Sequence, residues 1–258
     1  MSVEATSTER GSDARAAALA GVGITKTFGP VTALANVSFR AFYGRVLALL
    51  GDNGAGKTTL IKVLCGVLQP DSGQLLMDGV ATRFSSAGQA RKSGIATVFQ
   101  DLAVCDLLSI TRNIVLGNEP RVRLGPIGLY NAKEADRIAR AALGRLGARI
   151  DRDLSSYART LSGGERQALA IARAMYYGSK CLILDEPTAS LAARQAHGVL
   201  THVRAAADAG QAVILITHNY GQALSVADDI VILAHGAVAG TYRRGEIDAE
   251  DVMTLVSR

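Results

Sequence analysis

GDNGAGKTTLIKVLCG, residues 51–66, follows directly on VLALL, residues 46–50. The apolar run is typical of a strand that is covered on both faces. The next eight residues fit the pattern G-x-x-x-x-G-K-[ST] without a mismatch. Glycines let such a loop curl so that its N–H groups face phosphate oxygens, and the helix that follows adds its positive N-terminal end. The stretch therefore predicts a strand, a phosphate loop and a helix, in that order.

The phosphate loop predicts the groups that would contact a nucleotide. Lys57 would place a positive charge at the β- and γ-phosphates, and the hydroxyl of Thr58 would bind Mg²⁺. The predicted nucleotide contacts are Gly51, Asp52, Asn53, Gly54, Ala55, Gly56, Lys57, Thr58 and Thr59. A glycine-rich turn that matches by accident is the alternative, and the loop alone does not identify the nucleotide.

Two later apolar runs also end in polar residues. CLILDE places Asp185 and Glu186 at the end of a predicted strand, and ILITH places His218 after another. Strand ends in such sheets are where ligands bind. Asp185 could fix magnesium, Glu186 could orient or deprotonate an attacking water, and His218 could sense the γ-phosphate. A solvated acidic turn and a structural histidine are the alternatives.

Position distinguishes Gln100 from the other polar residues. Gln100 follows the strand pattern IATVF, and its side-chain carbonyl could ligate magnesium, although glutamine is also common in exposed loops. The remaining histidines lack such a context and are expected to be surface or structural residues: His197, His202 and His235.

The rest of the chain predicts one large α/β domain. Apolar runs at 95–99, 181–184, 213–217 and 230–233 alternate with helical stretches, which favours a parallel sheet with crossover helices. The region before the phosphate loop is rich in strand patterns, with a turn at Gly29 and Pro30. Strand signals are absent from about Ser109 to Lys180, which predicts a helical insert at about 101–178. Residues 1–20 are expected to be a disordered leader, and residues 21–258 the domain.

Composition excludes several classes of protein. The chain has 258 residues and a net charge of +5, but its basic residues are scattered, so no nucleic-acid partner is expected. Its three cysteines form no CxxC pair, which argues against a disulfide framework or a zinc site. The longest apolar runs fall short of the ~20 residues that a membrane-spanning helix needs.

A second glycine-rich helix start lies in TLSGGERQALAIARA, residues 160–174. Ser162 is a good N-cap, and the positive end of the helix could face an anion. A cap alone would not call for Gly163 and Gly164, which would let another molecule approach the backbone.

Taken in order, the phosphate loop, VFQ, LSGGERQ, LILDE and ITH resemble the ATP-binding subunit of ABC transporters, from about Gly21 to the end. The resemblance implies a phosphate-loop NTPase (RecA-like) core, an N-terminal antiparallel β subdomain and an α-helical insert subdomain. It also implies ATP and Mg²⁺ as ligands, and ATP hydrolysis as the activity.

By position, the resemblance assigns roles to named residues. Phe28 would stack on adenine, although a core strand residue is the alternative. Gln100 would link magnesium to the helical insert, Asp185 would lie on the magnesium side, Glu186 would be the general base, and His218 the switch histidine. Ser162, Gly163, Gly164 and Glu165 of an opposite subunit would cover the γ-phosphate, which implies a homodimer.

Within the family, the chain looks most like the ATPases of ribose-, xylose- and fructose-type importers. That likeness implies an integral-membrane permease that docks near Leu102 to Ile110, and a periplasmic or extracellular sugar-binding protein. It places the chain at the cytoplasmic face of the inner membrane. One departure is Ala192, where the family usually has Asp, and this leaves the coupling between two sites open.

Three alternatives remain at this point. A soluble ABC ATPase that acts on ribosomes or DNA would normally carry a second ATPase half, a long coiled coil or a zinc module, and none is visible in the sequence. An ABC ATPase for another solute stays open. A phosphate-loop kinase or GTPase leaves LSGGERQ unexplained, and the chain has no N-K-x-D guanine motif.

Overall fold

The computed structural model of the protein describes residues 17–124, 127–177 and 179–257. Its first strand begins at Ala17, and Ala18 and Leu19 are fully buried. Residues 17–20 of the predicted leader thus belong to the folded domain, which corrects that boundary. The rest of the predicted leader, residues 1–16, lies outside the described residues.

The central sheet is parallel except at one edge. Its strands follow the order β12-β11-β3-β10-β9-β6. They are β3 (Val46–Leu50), β6 (Ile95–Val98), β9 (Cys181–Asp185), β10 (Ala212–Thr217), β11 (Asp229–Ala234) and β12 (Ala237–Arg243). Only β12 runs antiparallel to its neighbour among these strands. The predicted parallel sheet is confirmed.

Helices and a second sheet cover the two faces of this sheet. Successive side chains of β3 alternate between the faces, so Val46 and Ala48 join one hydrophobic core, whereas Leu47 and Leu49 join the other. This alternation explains why the whole run is apolar. The helices outside the insert are α1 (Lys57–Leu64), α2 (Ala87–Lys92), α6 (Ala193–Asp208), α7 (Tyr220–Val226) and α8 (Ala249–Val256).

The N-terminal sheet is antiparallel, as the family resemblance implied. Its order is β2-β1-β4-β5, with β1 (Ala17–Phe28), β2 (Val31–Phe42), β4 (Ser72–Met77) and β5 (Val80–Thr82). Gly29 and Pro30 form the turn between β1 and β2, as predicted. The amide of Ala35 donates to the carbonyl of Gly236 at 2.7 Å, so β2 lies against the turn between β11 and β12.

The insert contains helices and also a β-hairpin. Its helices are α3 (Ile110–Val115), α4 (Ala132–Arg145) and α5 (Gly163–Tyr176). Between α3 and α4, β7 (Arg121–Leu124) pairs antiparallel with β8 (Ile127–Tyr130). The expectation of no strands between Ser109 and Lys180 was therefore wrong, because these two strands are only four residues long and their pattern is weak.

No helix in the described ranges is both long and apolar enough to cross a membrane.

Candidate active site

A cleft of about 490 Å³ lies beside the phosphate loop, at the carboxyl ends of the central strands. Its lining residues come from β2, the phosphate loop, the ends of β6 and β9, and the turn after β11. They are Val31, Thr32, Ala33, Asp52, Asn53, Gly54, Gly56, Lys57, Thr58, Thr59, Gln100, Asp185, Glu186, His235 and Gly236. The structure thus brings most of the phosphate loop, Gln100 and the two adjacent carboxylates to one place.

Backbone geometry explains the glycine at the start of α1. Gly56 is the N-cap, with a φ of 98°, in the left-handed region that side chains disfavour. A Cβ there would also lie 2.5 Å from the carbonyl oxygen of Ala33. The other two predicted loop contacts, Gly51 and Ala55, are buried and do not line the cleft.

Lys57 is buried inside the loop with its ammonium group held by backbone carbonyls. Its Nζ donates to the carbonyl oxygens of Gly51, at 2.6 Å, and Asp52, at 2.9 Å. Burial lowers the pKa of Lys57, and the negative charges of Glu186, Asp52 and Asp185 oppose this effect. The loop therefore presents one desolvated cation to a cleft that also contains acidic side chains, an arrangement suited to a polyanion that binds together with a divalent cation.

Glu186 is held by residues at the end of β10, the strand beside β9 in the sheet. Its φ of 47° is unusual for a residue other than glycine, and its amide donates to the carbonyl of Ile216. Thr217 Oγ1 donates to one carboxylate oxygen at 2.9 Å, and the amide of His218 donates to the other at 3.0 Å. The carboxylate therefore has a defined position beside the cleft.

His218 contacts Glu186 directly. Its Nδ1 lies 2.7 Å from Glu186 Oε1, so a protonated Nδ1 donates to the carboxylate. The imidazole is more than half exposed and does not line the cleft itself. Two predicted residues that are 32 positions apart in sequence thus form one pair.

Asp185, Thr58 and Gln100 all line the cleft and offer oxygen atoms of three kinds. Burial raises the pKa of Asp185, the charge of Glu186 raises it further, and Lys57 opposes both. A divalent cation would relieve this crowding of negative charge, and Mg²⁺ prefers oxygen ligands. The donor set therefore fits the predicted metal. Among the described residues, no group of three or more His, Cys, Asp or Glu side chains forms a separate metal cluster.

Phe28 lies at the end of β1, opposite Val31 of β2. The residue is 47% exposed, which argues against the core-residue alternative. The ammonium group of Lys26 lies 5.8 Å from the ring centroid. Phe28 does not line the cleft, but its partner Val31 does. Stacking on adenine stays a prediction.

The second glycine-rich start caps α5 and lies outside this cleft. The amide of Glu165 donates to Ser162 Oγ, and the amide of Ser162 donates to the Glu165 carboxylate, which is a capping box. A Cβ on Gly163 would lie 2.8 Å from Leu191 Cδ2, the end of a flexible side chain that would have to shift. A Cβ on Gly164 would meet Gln195 at an ordinary 3.5 Å, so the chain itself does not require Gly164 to be glycine.

Sequence reasoning missed several residues at the site. His235, expected to be a surface or structural residue, lines the cleft with Gly236. The signal was available, because His235 follows the apolar run of β11 as His218 follows that of β10. The contribution of Val31, Thr32 and Ala33 had no local signal, since β2 belongs to the other sheet.

Comparison with known proteins gives the family. The model for the family "ABC transporter" matches residues 34–189. A xylose/arabinose import ATP-binding protein of Sulfolobus acidocaldarius is 39% identical, over 91% of each chain. A fructose import ATP-binding protein of Rhizobium meliloti is 40% identical, over 81% of this chain and 82% of the relative. A ribose import ATP-binding protein of Geobacillus kaustophilus is 36% identical over 90% of this chain, which spans only 46% of that relative.

Solved structures agree on the fold. A subunit described as part of an ABC transporter complex of Clostridium perfringens superimposes with a TM-score of 0.77 at 26% identity, over 92% of each chain. An ATP-binding cassette in its ADP conformation gives a TM-score of 0.78 at 24% identity, over 93% of this chain and 95% of the other. With the family match and these relatives taken together, the chain belongs to the ABC transporter family.

Proposed function

We propose that this chain is the ATP-binding and ATP-hydrolysing subunit of an ABC importer for a sugar. The observation that best supports ATPase activity is the position of Glu186. Its carboxylate is fixed by Thr217 and His218 at the cleft that the phosphate loop lines. A general base needs this combination of a fixed position and access to the reacting water.

The proposed reaction is the hydrolysis of ATP to ADP and inorganic phosphate. Water attacks the γ-phosphorus, the bond from that phosphorus to the bridging oxygen breaks, and the water proton goes to Glu186. Lys57 stabilises the negative charge on the phosphates. His218, in contact with Glu186, would hold the carboxylate and reach the γ-phosphate. Mg²⁺, when bound, would neutralise phosphate charge, and Thr58, Gln100 and Asp185 are the residues that would hold it.

Substitution of Glu186 tests the ATPase proposal. Glu186→Gln keeps the shape and most hydrogen bonds of the side chain but removes the base. We expect the Kd for ATP to change by less than about threefold and turnover to fall by at least about a hundredfold. Equilibrium binding of a fluorescent ATP analogue and a phosphate-release assay measure the two effects.

Glu246→Gln is the matched control, because Glu246 accepts a hydrogen bond from the Arg243 amide away from the cleft. Undiminished turnover in Glu186→Gln would remove Glu186 from the role of base.

The proposal of a sugar rests on the relatives. Those named for xylose/arabinose, fructose and ribose import are 36–40% identical to the chain. Which sugar is transported is decided by the permease and by a periplasmic or extracellular binding protein. Deletion of the gene in its host should abolish uptake of one radiolabelled monosaccharide, and the Glu186→Gln gene should fail to restore it. Restoration of uptake by that gene would contradict ATP-driven import through this chain.

We also propose that the permease docks on the insert side of the chain. An apolar groove of about 410 Å³ lies between the core and the insert, and exposed side chains of Val67, Phe99 and Leu116 line it. In the insert, Leu107 is 71% exposed, in a segment that Asn113 holds through hydrogen bonds to the backbone of Cys105. An apolar helix from a cytoplasmic loop of the permease fits this chemistry. The chain would thereby be held at the cytoplasmic face of the inner membrane.

Leu107→Glu tests this surface without touching the cleft. We expect the purified variant to hydrolyse ATP normally but to lose co-purification with the permease encoded beside it. Met253→Glu is the control, since Met253 is also an exposed apolar residue, at 53%, but lies on α8. Full co-purification of Leu107→Glu would place the permease elsewhere.

A further inference from the structure

One hydrogen bond joins the phosphate loop to the segment that carries His218. The hydroxyl of Tyr220 donates to Asp52 Oδ1 at 2.5 Å, across 168 positions of sequence. Asp52 follows β3, and Tyr220 begins α7 shortly after β10. Strands β3 and β10 are parallel neighbours, with Leu50 opposite Thr217, so both residues leave the same edge of the sheet.

Asp52 has an unfavourable charge for its position. It lines the cleft together with Lys57 and Thr58, where the phosphates of a nucleotide would bind. Its negative charge acts on Lys57, whose pKa it raises. A free carboxylate in this loop could either pair with Lys57 or repel the phosphates, and both would weaken nucleotide binding.

Tyr220 is well suited to hold that carboxylate. Tyr220 is partly buried against the hydrophobic core that contains Val46 and Ala48. The side chain of Asn219 caps the helix that Tyr220 begins, by accepting from the amide of Gln222. Burial raises the pKa of the Tyr220 hydroxyl, and the hydrogen bond to Asp52 raises it further. The phenol therefore remains a donor at any pH at which the protein works.

We propose that Tyr220 is a positioning residue for nucleotide binding: its hydroxyl holds the Asp52 carboxylate so that Lys57 stays available to the phosphates. This inference deepens the ATP binding proposed above and does not depend on the role of Glu186 or on sugar transport. Tyr220 acts through Asp52 and does not touch the reacting atoms.

A double-mutant cycle tests the inference. Tyr220→Phe removes only the hydroxyl, Asp52→Asn removes only the charge, and the double variant removes both. We expect Tyr220→Phe to raise the Kd of Mg-ATP and of ADP by about three- to tenfold. The same loss should appear in KM, with kcat changed by less than about twofold. In the double variant the Kd should return to within about twofold of that of Asp52→Asn alone. The side chain at position 52 is then an uncharged asparagine, so losing the tyrosine hydroxyl frees no negative charge.

Two controls separate positioning from a general loss of structure. Tyr43→Phe removes another tyrosine–aspartate hydrogen bond, to Asp78 at 2.7 Å, and neither residue lines the cleft. This control should leave the Kd unchanged. The increase in Kd that Tyr220→Phe causes should also become smaller as the KCl concentration is raised, since salt screens a charge repulsion. An unchanged Kd in Tyr220→Phe, or an equal loss with and without Asp52→Asn, would overturn the inference. Since the Kd values are measured without turnover, failure of ATP hydrolysis itself would be seen separately in the Glu186→Gln experiment.

Discussion

Asp185 is a residue that the fold accommodates at a cost in stability. Burial and the neighbouring charge of Glu186 raise its pKa in the folded protein. The folded protein therefore binds this proton more tightly than the unfolded chain does, so the contribution of Asp185 to stability falls as pH rises through the raised pKa. A structural role alone would not favour a carboxylate here, whereas a magnesium-side role requires one.

Asp185→Asn should therefore stabilise the nucleotide-free protein. We expect a gain in the free energy of unfolding of about 1 kcal/mol at pH 8, because the amide has no charge to desolvate. The gain should diminish as pH is lowered through the raised pKa of the wild-type carboxyl. Thermal unfolding over a series of pH values measures this.

The same variant should gain less from Mg-ATP than the wild type does. A ligand that binds the folded state raises the free energy of unfolding by RT ln(1 + [L]/Kd), so tighter binding gives a larger shift of the unfolding temperature. Asp185→Asn should bind Mg-ATP more weakly and show a smaller shift. A lower unfolding temperature for the nucleotide-free variant at pH 8 would contradict the cost assigned to Asp185.

At the scale of elements, α6 begins without a capping side chain. Ala192 has the extended backbone that an N-cap requires, with a φ of −64° and a ψ of 151°, but its methyl group cannot accept a hydrogen bond. The amide of Ala192 does donate to Gln195 Oε1, at a long 3.4 Å. Half of a capping box is thus present, at the position where the family usually has Asp.

Ala192→Asp should complete this cap. We expect the free energy of unfolding to rise by about 1 kcal/mol, since an aspartate at the N-cap would accept from the first-turn amides and interact with the helix dipole. Urea unfolding of the nucleotide-free protein measures the change. Asp248→Ala is the converse control, because Asp248 caps α8 by accepting from the amides of Glu250 and Asp251, and its loss should cost a similar amount. An unchanged urea midpoint in Ala192→Asp would mean that another group already satisfies the start of α6.

The elements that the sequence predicted best are those with strong patterns. The buried strand before the phosphate loop is apolar throughout because both of its faces are covered, so its pattern was clear. The hairpin of β7 and β8 was missed although a Gly-Pro dipeptide, residues 125–126, stands between its two short runs. The same dipeptide at Gly29 and Pro30 was recognised as a turn, because longer strand patterns flank it. Short strands on an exposed surface have too few buried positions to show alternation.

At the scale of the whole molecule, the order of motifs along the sequence predicted the fold. The contacts between motifs are known only from the structure. Parallel strands bring their carboxyl ends to one edge, so Lys57, Asp185 and Glu186 could be expected together. The bond between Tyr220 and Asp52 could not, because it depends on which strands are neighbours. That Ser162 and Gly164 do not line the cleft of their own chain was likewise visible only in the structure.

A dimer closed by ATP would give these residues a role. In the homodimer that the family resemblance implies, the start of α5 of one subunit would cover the γ-phosphate bound by the other. Gly164 is the position that tests this, since a side chain there makes only an ordinary contact within its own chain. Gly163 is a poorer choice, because a side chain there would require the Leu191 side chain of the same chain to shift.

Gly164→Asp should abolish ATP-driven dimers without harming the monomer. An aspartate in the first turn of α5 interacts favourably with the helix dipole, so the unfolding temperature should stay the same or rise. Across the dimer, the same carboxylate would meet a phosphate and be repelled. We expect the variant to remain a monomer and to keep a normal Kd for ATP. Light scattering after gel filtration measures the oligomeric state, in the Glu186→Gln background, where ATP persists. Gly88→Asp is the matched control, because Gly88 is also the second residue of a serine-capped helix and should leave dimers intact. If Gly164→Asp still dimerised with ATP, the start of α5 would not be the surface that closes over the nucleotide.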